Sequence, residues 1–374
     1  MTERVQYVAR SPFYPDLKER VDGYFATTQL PRTGTWRLFL KTLVCITGYI
    51  AGYCYLVWFA QSWEAAIAGV IFTGVTMCLV GFNVMHDGAH GAYSSSARLN
   101  WLMGYTLDLM GGSNYLWRQK HNGLHHTYTN VDELDRDLQS SGLMRLSPDQ
   151  QWLEHHRWQP WYALPLYSLH TFFWVIYRDY SSFFGRRAGP VQLRQPRMGE
   201  TIAFLGAKLF YYAYALILPA WIHGPWKVLL AYTAIHLIAG VVLSIVFQLA
   251  HSTEDVTFPT PDADSGEIED AWAVSQVETT ANFAHGNHLL SWCIGGLNYQ
   301  IEHHLFPRIS HVHYPALSQI VRQACADHDV HYFCQPTLRA SIAAHFRFLR
   351  QMAKEPDSGP DSGVAQHLAT EVAP

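Results

Sequence analysis

The sequence has few charged residues for its length. Asp, Glu, Lys and Arg make up 15% of its 374 residues, whereas an average soluble domain contains roughly 25%. The net charge of -4 includes no basic excess, and no DNA-binding or glycine-rich phosphate motif is evident. The composition therefore gives no reason to expect a nucleic-acid partner.

Cysteine is also sparse and unpaired in sequence. The six residues form no CxxC motif; they are Cys45, Cys54, Cys78, Cys293, Cys325 and Cys334. We therefore expect neither a disulfide framework nor a thiolate metal site, and a reducing compartment fits. Residues 1–20 are polar and lack an apolar core, so we expect no cleavable signal peptide.

Apolar residues are collected into four long runs. They lie at about residues 42–60, 65–85, 201–221 and 228–250, and each is near the roughly 20 residues that a helix needs to cross a bilayer. The connections within each pair of runs are short, which predicts two transmembrane hairpins. The expected fold is an all-α integral membrane protein with four transmembrane helices, interfacial helices and a cytoplasmic histidine-rich cap.

The distribution of basic residues predicts the orientation. All but Lys208 and Lys227 of the 26 Lys and Arg residues fall in three regions, which are the N-terminal arm, residues 86–200 and the chain after residue 251. The positive-inside rule places these regions, and hence both termini, in the cytoplasm. Two shorter apolar stretches, residues 99–117 and 161–177, are predicted as interfacial helices. Residues 1–35 are expected to form a cytoplasmic arm, and residues 355–374 a disordered tail.

Histidine is the residue in excess. The chain has 21, and seven fall in three clusters on the predicted cytoplasmic side; these are His86, His90, His121, His125, His126, His303 and His304. A spacing of four puts two side chains on one helix face, whereas adjacent residues diverge by about 100° and can address two ions. Imidazole suits several transition metals, but seven histidines exceed what one four-coordinate zinc needs. The clusters therefore predict two redox-active metal ions.

The other histidines are less informative, because a lone histidine is usually a surface or hydrogen-bonded core residue. His251 ends the fourth apolar run at the same depth as His86, so we count it as a candidate ligand. His285 and His288 lie near the clusters and stay open. Residues 155–156 have a polar context that is typical of a surface. No metal role is expected for His155, His156, His170, His223, His236, His311 and His313.

At these clusters the sequence resembles the membrane fatty-acid desaturase family. The motifs are His86-x-x-x-His90, His121-x-x-x-His125-His126 and Gln300-x-x-His303-His304, and the likeness runs from about residue 36 to residue 333. The phrase GLNYQIEHHLFP, residues 296–307, is similar to front-end desaturases and their bacterial acyl-CoA relatives. The resemblance identifies residues 36–354 as a desaturase domain. It implies two iron ions held by His86, His90, His121, His125, His126, His251, His303 and His304.

The same resemblance implies an O₂-dependent oxidoreductase that inserts a cis double bond into a fatty acyl chain. The chain would be carried by CoA, a carrier protein or a lipid. Acidic residues near the clusters are candidate acceptors for the second imidazole N–H; they are Asp87, Asp132, Asp135, Asp137 and Glu302. Aromatic candidates for the wall of an acyl tunnel are Tyr115, Trp117, Trp272 and Trp292.

Two departures from the family pattern matter. Gln300 stands where many relatives have histidine, so a water-mediated or supporting role is expected there. The chain also lacks the His-Pro-Gly-Gly haem motif of fused cytochrome b5 domains. Its electrons are therefore expected from a separate donor such as ferredoxin, cytochrome b5 or a reductase.

Two other functions stay open on the sequence alone. A lipid hydroxylase or ketolase of the same superfamily would share the metal site. A membrane metal transporter is the second alternative, but transporters place their polar ligands within the bilayer. Here the histidine clusters lie at or beyond the ends of the predicted spans.

Overall fold

Four helices long and apolar enough to cross a membrane organise the chain. In the computed structural model, which describes residues 5–356, they are Trp36–Phe59, Trp63–His90, Met198–His223 and Pro225–His251. Each begins a few residues before the predicted apolar run. At the second span a polar cap sets this start, because the Ser62 hydroxyl accepts the Ala65 N–H at 3.3 Å. The predicted all-α class is confirmed. Most of the predicted disordered tail lies outside the described residues.

Shorter helices carry the rest of the chain. The α-helices outside the spans are Phe13–Thr28, Ala97–Gly104, Thr106–Leu109, Asn114–Lys120, Gln159–Phe173, Asp179–Gly185, Trp272–Glu278, His288–Cys293, Gln300–Leu305, Tyr314–Asp327 and Leu338–Met352. Short 3₁₀ turns cover Arg136–Leu138, Glu154–Trp158 and His311–His313. Sheet is limited, in the described chain, to three two-residue pairs, which are Gln6–Tyr7 with Glu267–Ile268, Arg187–Ala188 with Val191–Gln192, and Asn282–Phe283 with Cys334–Gln335.

Two apolar clusters hold the histidine-bearing segments. Leu38, Phe82 and Leu249 pack together at the end of three spans. The helix Phe13–Thr28 packs on the helix Tyr314–Asp327 in a second cluster that also buries Ile301, between Gln300 and the last histidine pair. Burying one such Leu, Ile or Phe side chain fully contributes about 1.5–3 kcal/mol. Packing in these two apolar clusters therefore holds the backbone segments that carry the histidines.

The helix Gln159–Phe173 lies beside the fourth span, a packing that the sequence alone did not predict. Thr171 donates a hydrogen bond to the carbonyl of His236 at 2.7 Å, and Ser244 donates to the carbonyl of Tyr167 at 3.4 Å. A Cβ atom on Gly240 would lie 2.2 Å from the Ser168 carbonyl oxygen. Only glycine permits so close an approach of the two backbones.

Between residues 5 and 356, five π-helical turns interrupt or end the helices, and two adjoin the histidine clusters. One, Gly81–Met85, directly precedes His86, and another is the segment His121–His125 itself. The remaining turns are Tyr55–Phe59, Trp174–Arg178 and Ala213–Ile217. A π turn adds a residue to the helical repeat and is frequent at functional sites. The added residue rotates the side chains that follow it relative to a regular α-helix.

Candidate metal centre

The structure brings all eight histidines predicted as ligands into one buried cluster. His86 and His90 come from the end of the second span, and His251 from the end of the fourth. The other five lie on two short helical segments that fold over these ends. All eight are at most 7% exposed; they are His86, His90, His121, His125, His126, His251, His303 and His304.

Seven of these residues form two groups with the spacing of metal ligands. The first group is His86, His90, His121 and His303, and the second is His125, His251 and His304. Within each group, one ring nitrogen from every residue lies within 4.8 Å of the others. The adjacent residues His303 and His304 fall in different groups, as their divergence on a helix predicts.

His126 lies between the two groups. Its ring centroid is 4.6 Å from that of His303 in the first group and 4.5 Å from that of His304 in the second. Its Nε2 atom is 3.2 Å from the Nε2 atom of His121. This contact follows from the π turn, because the His126 N–H bonds to the His121 carbonyl five residues earlier. The sequence predicted His121 and His125 on one face, and their rings stack with centroids 5.0 Å apart. They form a third possible group with Asp137, although each also belongs to a different one of the two histidine groups.

Hydrogen bonds orient the rings of two histidines in the second group and of one in the first. The Nδ1 atom of His125 is 3.0 Å from both oxygens of Asp135, and the Nδ1 atom of His304 is 3.0 Å from Oε1 of Gln276. Both partners are acceptors, so each Nδ1 carries a proton and Nε2 is the nitrogen that faces a metal. In the first group, Nδ1 of His303 is 3.0 Å from the hydroxyl of Tyr314.

Unpartnered nitrogen atoms show that this cluster fits metal ions. Five buried Nε2 atoms of the cluster have no hydrogen-bond partner within the described chain; they belong to His86, His90, His251, His303 and His304. A buried polar atom without a partner is costly and calls for an explanation. Coordination to a metal satisfies these lone pairs.

The protonation of the cluster also favours metal binding. Burial, followed by the charge of neighbouring histidines, holds the pKa values of His121, His126, His303 and His304 well below their ordinary range. These rings are therefore neutral, as ligation requires. His125 differs: burial lowers its pKa, but the charges of Asp135 and Asp137 outweigh burial and raise the value to about 9.

A second set of polar contacts surrounds Asp87, the residue that follows His86. The neighbouring Asp87 lies 3.0 Å from Nδ1 of His311 and accepts a hydrogen bond from Ser310 at 2.6 Å. On its other side, the His311 ring is 3.1 Å from the ammonium nitrogen of Lys41. All of these side chains are buried. His311, for which no metal role was predicted, thus contacts Asp87, which adjoins His86 of the first group.

Other predicted acids have different partners. Glu302 accepts hydrogen bonds from Asn282 at 2.9 Å and Tyr332 at 3.0 Å, with no histidine partner in the described chain. Burial raises its pKa to about 7. Asp132 accepts from Gln139 and Gln150 instead, whereas Asp137 lies 3.6 Å from Nδ1 of His125.

Gln300, which was predicted to have a supporting role, is buried. Its amide nitrogen has no hydrogen-bond partner among residues 5–356. His285 is partly buried and stacks on Tyr299 with ring centroids 4.0 Å apart. Neither His285 nor the exposed His288 belongs to the two groups.

One surface prediction needs correction. His155 is exposed, but His156 is 1% exposed, because its ring bonds to the Leu153 N–H and the Gly142 carbonyl. These local contacts fold the ring under the 3₁₀ turn Glu154–Trp158. The residue is structural.

A narrow apolar cavity adjoins the first group. It has a volume of about 50 Å³, and His86 lines it together with Met77, Met85, Met110, Trp117, Trp174 and Phe247. A larger cavity of about 500 Å³ lies among the four spans, and Met77 lines both. Of the four predicted wall aromatics only Trp117 lines either cavity. Trp272 instead donates to the carbonyl of His126 at 3.3 Å.

Gln276, Thr129 and Tyr314 were missed by the sequence analysis. Thr129 donates to the carbonyl of His125 at 2.7 Å and lies 3.2 Å from Nδ1 of His304. A glutamine or tyrosine distant in sequence carries no spacing signal that marks it as a histidine partner. Only the fold brings these residues to the cluster.

Comparison with known proteins agrees with this geometry. The fatty acid desaturase family model matches residues 61–336. The sn-1 linoleoyl-lipid 6-desaturase of Synechocystis sp. is 35% identical over 358 residues, which cover 94% of this chain and 98% of that protein. The enzyme of the same name from Arthrospira platensis is 32% identical over 96% of this chain and 97% of that protein. The acyl-lipid (8-3)-desaturase of Physcomitrium patens is 35% identical over 91% of this chain and 71% of that protein.

The chain therefore belongs to the fatty acid desaturase family. It is an oxidoreductase and, with its four apolar helices, a membrane protein. Its buried histidine groups can hold metal ions.

Proposed function

We propose that this protein is an O₂-dependent acyl-lipid desaturase with two iron ions held by the eight clustered histidines. One observation carries the proposal: two groups of ring nitrogens lie side by side, with His126 between them. A single four-coordinate zinc site would use only half of these residues. Relatives named as acyl-lipid desaturases support a lipid-linked chain as substrate.

The assignment of ligands divides the cluster by group. His86, His90, His121 and His303 are proposed for the first iron, and His125, His251 and His304 for the second. His126 is proposed as the eighth ligand, since its ring lies between the two groups. Gln300 is proposed to hold a water rather than to bind metal directly, because a neutral amide is a poor ligand for iron.

The iron pair supplies the hydrogen-abstracting chemistry, which no side-chain base can perform on an unactivated alkyl C–H bond. The protein contributes position, protonation state and exclusion of water. Asp135 and Gln276 hold two rings in the tautomer that presents Nε2. The apolar walls beside His86 keep bulk water from the reacting carbon.

The two cavities are proposed to hold the acyl chain. The narrow cavity at His86 would hold the methylene groups that react, and the larger cavity the methyl-terminal part. Met77 lines both, so it marks their junction. A volume of about 500 Å³ is in the range of binding sites for drug-sized ligands.

The proposed topology is two hairpins with the histidines on the cytoplasmic side. Residues 60–62 alone separate the first two spans, and Gly224 alone separates the last two. At these turns the His223 ring is 2.7 Å from the Val57 carbonyl oxygen, so the two turns meet. Exposed Trp58, Trp63 and Trp221 lie near them, as expected at a membrane interface. A separate cytoplasmic protein is proposed to deliver the electrons.

Fatty-acid analysis by gas chromatography and mass spectrometry of cells expressing the protein tests this function. We expect a new fatty acid that has lost two hydrogens relative to a host fatty acid. The matched control is the His303→Ala variant expressed at an equal level. A product that gains one oxygen atom and no double bond would instead identify a hydroxylase and overturn the proposal.

A further inference from the structure

Lys208 is a charged residue buried within a membrane-spanning helix. It lies in the third span, Met198–His223, and its side chain is 4% exposed. A charge inside the bilayer region is expensive, and such residues usually serve a function. Its counterion is Asp179, whose side chain is 0% exposed and whose Oδ2 atom is 3.0 Å from the Lys208 nitrogen. Asp179 follows the π turn Trp174–Arg178 in sequence.

The ammonium group of Lys208 joins three chain segments. It donates to the carbonyl of Gly111 at 2.5 Å and to that of Val175 at 3.4 Å, besides its contact with Asp179. An ammonium group has three hydrogens to donate, so all of its donors are used. The second oxygen of Asp179 accepts a hydrogen bond from the indole nitrogen of Trp174 at 2.9 Å.

These segments are the ones that form the narrow cavity at the metal centre. Gly112, Trp174 and Val175 line that cavity, and so does His86. Lys208 and Asp179 do not line it. The ion pair therefore bonds to the residues of the cavity wall from outside the space that the acyl chain would occupy.

Stability alone does not account for the pair. Replacing a buried ion pair by apolar residues of similar volume is often neutral or stabilising. An apolar pair would, however, give no directed bonds to Gly111, Val175 and Trp174. The hydrogen bonds of the ion pair therefore define the positions of these three residues more narrowly than apolar packing would.

We propose that Lys208 and Asp179 are a positioning pair that determines which carbon atoms of the acyl chain are desaturated. They do so by fixing the wall formed by Gly112, Trp174 and Val175 beside His86. This inference rests on the proposed desaturase function. A displacement of a bound substrate by about 1 Å can cost on the order of 100-fold in rate, so a small wall movement is enough to shift the position of reaction.

The test compares the full-length wild type with the double variant Lys208→Met, Asp179→Leu, which removes both charges together. Each is expressed in the same host, and the double-bond position is read by mass spectrometry of derivatised fatty acids. We expect the double variant to keep its metal content and to lose about tenfold in the ratio of the main positional isomer to the others. We expect its turnover to fall on the order of 100-fold.

A matched control removes an exposed ion pair that has no contact with Lys208 or Asp179 and does not line the cavity. Arg347 and Glu254 lie 2.6 Å apart, with side chains 48% and 26% exposed. The variant Arg347→Gln, Glu254→Gln should keep the wild-type isomer ratio. An unchanged isomer ratio and turnover in the metal-loaded Lys208→Met, Asp179→Leu variant would overturn the inference.

If the double variant fails to insert or to retain metal, Trp174→Phe decides the question. This change removes one hydrogen bond to Asp179 and keeps an aromatic ring in the wall. We expect its isomer ratio to change by about threefold or more, and an unchanged ratio overturns the inference. Absence of any new double bond with the wild type would instead contradict the proposed function, so the two failures are distinguishable.

Discussion

The Nδ1 atom of His125 lies 3.0 Å from both carboxylate oxygens of Asp135, and both side chains are buried. The same carboxylate accepts the backbone N–H groups of Asn130 and Asp137, each at 2.9 Å. Asp135 is therefore held in place by the loop that follows the histidines. A ring oriented in this way presents Nε2 and is more basic as a ligand.

Asp135→Asn should weaken metal binding with little change in the fold. The amide keeps the shape of the carboxylate but removes its charge, so His125 becomes a weaker ligand. Loss of such a partner typically costs about 10–100-fold in metal affinity or activity. Metal content after dialysis against a graded chelator series measures the change.

Asp132→Asn is the matched control for this experiment. Asp132 lies three residues earlier but accepts hydrogen bonds from Gln139 and Gln150. Its variant should retain the wild-type metal affinity. Equal metal loss in both variants would show that the loop, rather than the contact with His125, is responsible.

Gln276→Leu should affect the centre through His304. The change removes the acceptor 3.0 Å from Nδ1 of His304 and keeps a similar side-chain volume. We expect activity to fall about 10–100-fold, with the protein still extracted as an intact membrane protein. Activity within about twofold of wild type would mean that Thr129 alone orients the ring.

His125→Ala and His303→Ala each remove one proposed ligand from a different group. Both should abolish desaturation, by more than about 100-fold, while membrane insertion stays intact. His155→Ala is the control, since that ring is exposed and bonds to the Gly142 carbonyl. Turnover near the wild-type level in either cluster variant would contradict the assignment of the site.

Met77→Trp tests the proposed path of the acyl chain. A larger side chain at the junction of the two cavities should block the methyl-terminal part of long substrates, because a filled cavity cannot repack without cost. Fatty-acid profiling should show conversion of shorter chains at the expense of longer ones. Phe72→Trp, on an exposed face of the same span, should leave the profile unchanged. An unaltered profile for Met77→Trp would place the chain elsewhere.

The sequence predicted the parts of this structure that repeat a simple physical rule. Long apolar runs predicted the four spans, because a bilayer requires about 20 apolar helical residues. Clustered histidines in the order of the family motifs predicted seven of the eight members of the buried cluster. His251, a lone histidine, was found by its depth at the end of a span.

Features that depend on tertiary contacts could not be predicted in the same way. The π turn at His121–His125 bonds the His126 N–H to the His121 carbonyl and places the His126 ring between the two groups, which residue spacing does not predict. Gln276 and Tyr314 bond to histidines from distant segments. Glu302 stands beside His303 in sequence, yet its carboxylate accepts from Asn282 and Tyr332. Because adjacent residues on a helix point in different directions, Glu302 and His303 reach different partners.

Metal analysis of the protein purified from its native membrane tests the central claim most directly. The two groups of ring nitrogens predict about two iron ions per chain. The His125→Ala and His303→Ala variants, which each lose one ligand from a different group, should both contain less. One metal ion per chain, or stoichiometric zinc in place of iron, would contradict the account.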